Sequence, residues 1–131
     1  MAGDCPPGYA LELAHGAVDA IERVLACWLV AGDPVAVENP CFLGSLNTLR
    51  AAGYDALAVA IDEEGMQIEV LEQALARGAR AVLLTPRAHN PTGASLSRRR
   101  ARALRQVLER YPQVLVLVDD HFAWLSRQPY H

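Results

Sequence analysis

The sequence predicts an α/β fold, with three layers in the order α/β/α around a mostly parallel sheet. Three observations carry this reading. Helix-like and strand-like patterns alternate four times along 131 residues, as in a sheet whose crossovers are helices. Two segments, Ala81 to Leu84 and Val114 to Val118, are apolar at every position, the pattern of strands buried on both faces. Each of these runs stops abruptly in Pro, Asn, Gly or paired Asp residues. Polar chemistry therefore collects at strand ends, and in open sheets ligands bind outside the carboxyl ends of the strands.

The elements follow in order. Residues 1–9 read as a flexible N-terminal end. Over residues 16–31, Ala17, Ile21, Val24, Leu25, Trp28 and Leu29 recur at helical spacing, and Gly32-Asp33-Pro34 stops the helix. Residues 35–37 form a short buried strand closed by Glu38-Asn39-Pro40. Residues 43–52 predict a second helix with Leu46 and Leu49 on one face and Gly53 as its stop. A strand over residues 57–61 leads into a turn at Asp62-Glu63-Glu64-Gly65. Residues 69–77 predict a third helix, carrying Leu71, Ala74 and Leu75 inward.

After the apolar run at residues 81–84, Pro86 and Pro91 hold the residues before them extended. Gly93 offers a backbone state closed to other residues. Ser97 caps a fourth helix with Ala101, Leu104, Val107, Leu108 and Tyr111 on its apolar side, ended by Pro112. Residues 114–118 are expected to be the most uniformly buried strand. The end at Trp124-Leu125 and Pro129-Tyr130-His131 does not look like that of a finished domain.

Composition narrows the function classes. A chain that is 52% hydrophobic and 21% charged can build a real core and is not disordered. Net charge is −3, and the one basic block, Arg98-Arg99-Arg100-Ala101-Arg102, fits the polar face of a helix, so no nucleic acid is expected to bind through this segment. Cys5, Cys27 and Cys41 are odd in number and irregular in spacing, which suits neither a zinc site nor a disulfide framework. Two of them lie in apolar elements and are expected as small core residues. A reducing, cytoplasmic compartment fits best. No signal peptide is visible, and the apolar stretch near residues 24–35 is too short and too interrupted to span a membrane. All 12 basic residues are arginines. Chemistry that needs a Schiff base to a lysine is closed to these residues.

Four places carry candidate site residues. Asp119 follows five apolar residues at a strand end, where a carboxylate is costly unless paired. It could hold a protonated ring nitrogen of a cofactor, bind a divalent metal with Asp120, His121 and an approaching His89, orient a histidine in a triad, or cap a following turn. The metal reading lacks further ligands at useful spacing, and the triad reading lacks a nucleophile elbow. Asn90, in the loop after the apolar run, is either a ligand contact or a turn cap. His15-Gly16-Ala17 opens the first helix, where free backbone N–H groups can cradle phosphate. Phe42, just past a strand end, either stacks on a flat ligand or covers core.

Together these residues resemble a known family. Asn90-Pro91-Thr92-Gly93 matches the Asn-Pro-Thr-Gly motif of the fold-type I pyridoxal-phosphate (PLP) enzymes, the class I/II aminotransferases. Gly32-Asp33-Pro34-Val35 through Glu38-Asn39-Pro40-Cys41-Phe42 is similar to their Gly-Asp-x-Val…Glu-x-Pro-x-aromatic segment, and Asp119 lies 29 residues after Asn90, near the family's interval. Thr85-Pro86-Arg87-Ala88 and the Asp119-Asp120 pair are closest to the aminotransferase-like domain of GntR-type regulators of the MocR subfamily.

The resemblance implies an incomplete PLP-transferase major domain over residues 10–131. It implies that Asp119 binds the pyridine nitrogen, Asn90 the ring's phenolic oxygen, Gly16 and Ala17 the phosphate through backbone N–H groups, and that Phe42 stacks on the ring. His15 stands where the family has a small hydroxyl residue. His121 or Phe122 stands where it has a tyrosine. The lysine that attaches the cofactor in the family has no counterpart here, so PLP would bind non-covalently at most and the chain alone would not transaminate. The resemblance further implies an amino acid or amine as substrate or effector, and a homodimer, in the parent protein. The alternatives are a PLP- or effector-sensing segment of a transcriptional regulator, and a structural remnant that binds nothing.

Overall fold

The structure, a computed structural model, describes residues 8–131. The first seven residues, most of the expected flexible end, and Cys5 with them, lie outside the described residues. The chain forms α1 (Ala17–Trp28), β1 (Pro34–Asn39), α2 (Leu43–Ala51), β2 (Asp55–Asp62), β3 (Gly65–Met66), α3 (Ile68–Ala76), β4 (Ala81–Leu84), α4 (Arg98–Leu108) and β5 (Leu115–Val118). A single 3-10 turn, Ala123–Leu125, follows.

The five strands lie in the order β3-β2-β1-β4-β5. Pairs β1·β2, β1·β4 and β4·β5 are parallel, and only the short β3 runs antiparallel, against β2. Strand side chains alternate between two cores. Val35, Val37, Ala81 and Leu83 pack with Ile21, Leu25 and Leu29 of the α1 segment and Leu49 of α2. Ala36, Val82 and Leu84 pack on the other face with Leu71 and Leu75 of α3 and Leu104 and Val107 of α4. This is the three-layer arrangement that the alternation predicts. The strand order reverses between β1 and β4: the chain first builds outward through β2 and β3, then returns to the other side of β1. Loops leaving β1 and β4 part at that point and leave a crevice, where ligands bind in such sheets.

Three expectations are corrected. The most uniformly buried strand is β4, with all four residues buried. In β5 burial alternates, and Val116 and Val118 are 40% and 42% exposed, because β5 is the sheet's edge and has a neighbouring strand on one side only. Cys27 is not a core residue but is exposed, whereas Cys41 is half-buried and packs against the core. Cys27 and Trp28 share the solvent side of α1, although Trp28 fits the helical apolar spacing.

The arginine block is also more than a solvated face. Arg100 is buried. Its guanidinium donates to the backbone oxygens of Gly65 (3.0 Å) and Met66 (2.8 Å) and to the Asp62 carboxylate (2.8 Å). It thereby fastens the β2–β3 hairpin, which was expected only as a turn, onto α4. Beside it Glu64 accepts from the Ser97 hydroxyl (2.5 Å) and from Arg99, while Ser97 caps α4 by accepting from the Arg100 N–H (3.0 Å).

The Arg100 hydrogen bond holds Asp62 below its ordinary carboxylate value. The Ser97 hydroxyl, then Arg99, does the same for Glu64. A carboxylate lowered on folding stabilises the native state above its unfolded pKa and loses that contribution as pH falls through the folded one. Unfolding midpoints should therefore hold steady near neutrality and drop on acidification below about pH 4. Asp62→Asn should flatten that drop in a urea titration repeated across pH, and an unaltered acid limb would refute the assignment.

Candidate cofactor site

One cavity of about 290 Å³ lies at the carboxyl ends of β1, β4 and β5. Its wall includes every candidate site residue: His15, Gly16 and Ala17 from the start of α1, Phe42 from the loop after β1, Asn90 from the loop after β4, and Asp119 and His121 from the loop after β5. Val18, Thr85 and Phe122 complete it. Residues up to 107 positions apart in sequence meet because parallel strands bring all their carboxyl ends to one side.

Each wall has a local cause. Gly16 is the N-cap of α1 with φ 104°, a conformation that suits glycine alone. The first four N–H groups of a helix have no intrahelical partner, so those at Gly16 and Ala17 are available to an anion. Asp19, in the first turn, reaches back to accept the His15 N–H at 2.9 Å and pairs with Arg23 at 2.8 Å. The His15 N–H and then Arg23 lower its pKa. Its negative charge near the helix start is thus offset by Arg23. The His15 ring is largely exposed, with its Nδ1 3.7 Å from Asp19 Oδ2.

Asp119 is half-buried, and its carboxylate accepts the His121 N–H at 3.2 Å. That turn leaves the other oxygen available. His121 and Phe122 both line the cavity, with rings packed edge to face, centroids 4.8 Å apart. Gly93 takes φ 77°, the left-handed region that its place in the loop foreshadows. Among the described residues no group of three or more His, Cys, Asp or Glu side chains could hold a metal ion. The Asp119-Asp120-His121 run does not gather around a common point: Asp120 instead forms a two-point pair with Arg87. This pair ties the Asn90 loop to the Asp119 loop, and the Tyr130 ring lies 5.4 Å from the guanidinium.

Residues to which the sequence reading gave no supporting role hold the site from beneath. Thr85 lines the cavity, and its N–H donates to Glu38 Oε2 at 2.9 Å. Glu38 and His89 are both buried. A glutamate at the end of an otherwise apolar strand, in the family-like Glu-x-Pro-x-aromatic segment, is the signal of this in the sequence. Burial, then the Glu38 charge, raises the Cys41 thiol above its ordinary value, which disfavours the reactive thiolate.

PLP fits this donor set. An acid for a ring nitrogen, an amide for a ring oxygen, an aromatic face and a helix N-terminus for a phosphate converge on one concavity. No helix among the described residues is long and apolar enough to cross a membrane.

Comparison with known proteins agrees with this geometry. The family model "Aminotransferase class I and II" matches residues 9–129. The vitamin B6 salvage pathway transcriptional repressor PtsJ of Salmonella typhimurium is 61% identical over 125 residues, covering 95% of this chain and 29% of that protein. The 2-aminoadipate transaminase of Thermus thermophilus is 36% identical over 110 residues, 82% of this chain and 27% of that one. The crystal structure of the α-aminoadipate aminotransferase LysN from Thermus thermophilus, complexed with N-(5'-phosphopyridoxyl)-L-leucine, superposes with a TM-score of 0.74 at 31% identity, over 80% of this chain and 27% of that one. The chain thus spans under a third of the length of these relatives. With sequence, fold and cavity in agreement, the chain belongs to the aminotransferase class I and II family.

Proposed function

We propose that this chain is a non-covalent seat for pyridoxal 5'-phosphate and does not transaminate by itself. The observation that carries the reading is the single cavity in which Asp119, Asn90, Gly16, Ala17, Phe42, His15 and His121 meet. When bound, the cofactor supplies an electron sink. Asp119 holds the proton on its ring nitrogen. Asn90 donates its side-chain amide N–H to the ring oxygen. The N–H groups of Gly16 and Ala17, with the His15 ring beside them, bind the phosphate. Phe42 covers one face of the ring, and His121, packed edge to face on Phe122, adds to the cavity wall.

No lysine is present to attach the cofactor or to carry a proton from a substrate. Positioning alone leaves such a reaction without its base. The expected result is PLP retention that dialysis reverses, with no mass added by borohydride reduction in intact-protein mass spectrometry. A stable adduct, or turnover of an amino acid with added PLP, would overturn the reading.

A second reading concerns the protein in which this seat operates. Identity to a vitamin B6 repressor is 61%, against 36% to a transaminase. This favours a cytoplasmic regulator-like parent that senses PLP, alone or with an amino acid or amine effector, and that works as a homodimer. An encoded winged helix-turn-helix in the same reading frame supports it. An aminotransferase N-terminal arm in that place counts against it.

A further inference from the structure

We propose that the buried Glu38–His89 pair is a positioning device that locks the Asn90 loop against the end of β1. The inference rests on the PLP-seat reading and deepens it, because it assigns to two residues outside the cavity wall the task of keeping Asn90 and Thr85 within it.

Glu38 and His89 are 4% and 3% exposed. Glu38 sits at the end of the central strand, one residue before Asn39-Pro40 and four before Phe42. Its Oε2 accepts the Thr85 N–H at 2.9 Å and lies 3.3 Å from His89 Nε2. The contact is a close approach of two buried groups and not an aligned hydrogen bond, since Nε2 has no hydrogen-bond partner among the described residues. The ring's other nitrogen, Nδ1, is 2.9 Å from Thr92 Oγ1, which also accepts the Ala94 N–H at 3.2 Å. The imidazole thus lies between the Glu38 carboxylate and the Thr92 hydroxyl, and its hydrogen bond is to the hydroxyl, through Nδ1.

The backbone of His89 is held as firmly as its ring. Its N–H donates to Ala94 O at 2.9 Å, and its carbonyl accepts the Gly93 N–H at 2.6 Å. Immediately before it, Ala88 has φ 47°, a left-handed conformation unfavourable for alanine. Such a conformation persists only where its surroundings over-determine it. Asn90 follows His89 directly, so the rigidity of this loop sets where the Asn90 amide stands.

A stability role alone does not account for this pair. Burying a carboxylate and an imidazole is costly, and an apolar pair of the same volume fills space more cheaply. Glu38 Oε1 and His89 Nε2 have no hydrogen-bond partner among the described residues, an added cost of the same kind. What the pair provides instead is a link between the loops that bring Phe42 and Asn90 to the same cavity.

The test is a double-mutant cycle on the full chain, with PLP affinity read by fluorescence titration. Glu38→Ala and Asn90→Ala should each weaken PLP about tenfold, and the double variant no more than either alone, since both remove the same contact. Glu38→Gln keeps an acceptor for the Thr85 N–H and should recover most of the affinity. Effects that multiply to about a hundredfold, or an unchanged affinity for Glu38→Ala, would overturn the proposal.

Amide hydrogen exchange without PLP supplies the second arm. Glu38→Ala should speed exchange about tenfold across residues 85–93, Thr85 foremost, while α4 stays as protected as before. Uniform acceleration, or none, counts against the positioning role. Should the unsubstituted chain fail to bind PLP, the cofactor reading fails, and the exchange arm still decides whether Glu38 and His89 hold the loop.

Discussion

Asp119→Asn should weaken PLP binding about 30-fold, the loss of about 2 kcal/mol expected when a charge-assisted hydrogen bond becomes a neutral one. The substitution is chosen because Asp119 has two possible employments. Its carboxylate accepts the His121 N–H at 3.2 Å, a turn contact that an asparagine oxygen can also make. Asparagine therefore preserves the turn and removes only the charge opposite the ring nitrogen. Circular dichroism should show an unaltered fold, and titration with PLP should show the lost affinity. An unchanged dissociation constant would reduce Asp119 to a turn cap and deprive the cavity of its principal recognition group. Pyridoxal phosphate lacking its ring nitrogen, a carbocyclic analogue, should show no such difference between the two proteins.

Arg100→Met should destabilise the protein by about 3 kcal/mol, because it leaves buried hydrogen-bond acceptors without a donor. Methionine retains the volume and much of the aliphatic stem, so packing loss contributes little. The change strips the donor from Gly65 O, Met66 O and the Asp62 carboxylate at once. Met66 is wholly buried in the core that α3 and α4 cover, so water does not readily replace the guanidinium there. The melting temperature should fall by about 10 °C for a chain of this size. Arg99→Met, on an exposed side chain one residue away, should shift it by at most about 2 °C, as surface pairs contribute little. Equal shifts for the two would return Arg100 to the solvated face that its sequence context resembles.

The legibility of this protein divides along physical lines. Ala81–Leu84 announces a central strand because every position is apolar, and all four are buried. Residues 114–118 carry the same signal, yet Val116 and Val118 lie at an edge. An apolar run reports what a strand can bury, and the neighbour that buries it lies elsewhere in the chain. Trp28 and Cys27 fail for a related reason. Helical spacing marks a stripe, while the width of the stripe that is covered depends on where α1 sits on the sheet. The hairpin residues Gly65–Met66 contain too few positions to show a period of two.

For the site, His15, Gly16, Ala17, Phe42, Asn90, Asp119 and His121 were nameable from motif and strand-end position, and they share one cavity wall. The pairings beneath them were not. Glu38, His89, the Arg87–Asp120 pair and Arg100 all act across separations of 33 to 51 residues, and no local pattern records a partner so far away.

The amino-acid sequence by itself determines the α/β class, the alternation of elements, the strand ends at which polar residues gather, and the absence of a lysine to bind a cofactor covalently. These are properties of neighbouring residues, set by propensity, periodicity and composition. Only the tertiary structure decides which strand is central, which apolar residues stay in solvent, and which charged groups are buried. The reason is that burial and pairing depend on the strand order β3-β2-β1-β4-β5. That order reverses between β1 and β4, where it opens the crevice and sets Glu38 beneath the loop that carries Asn90.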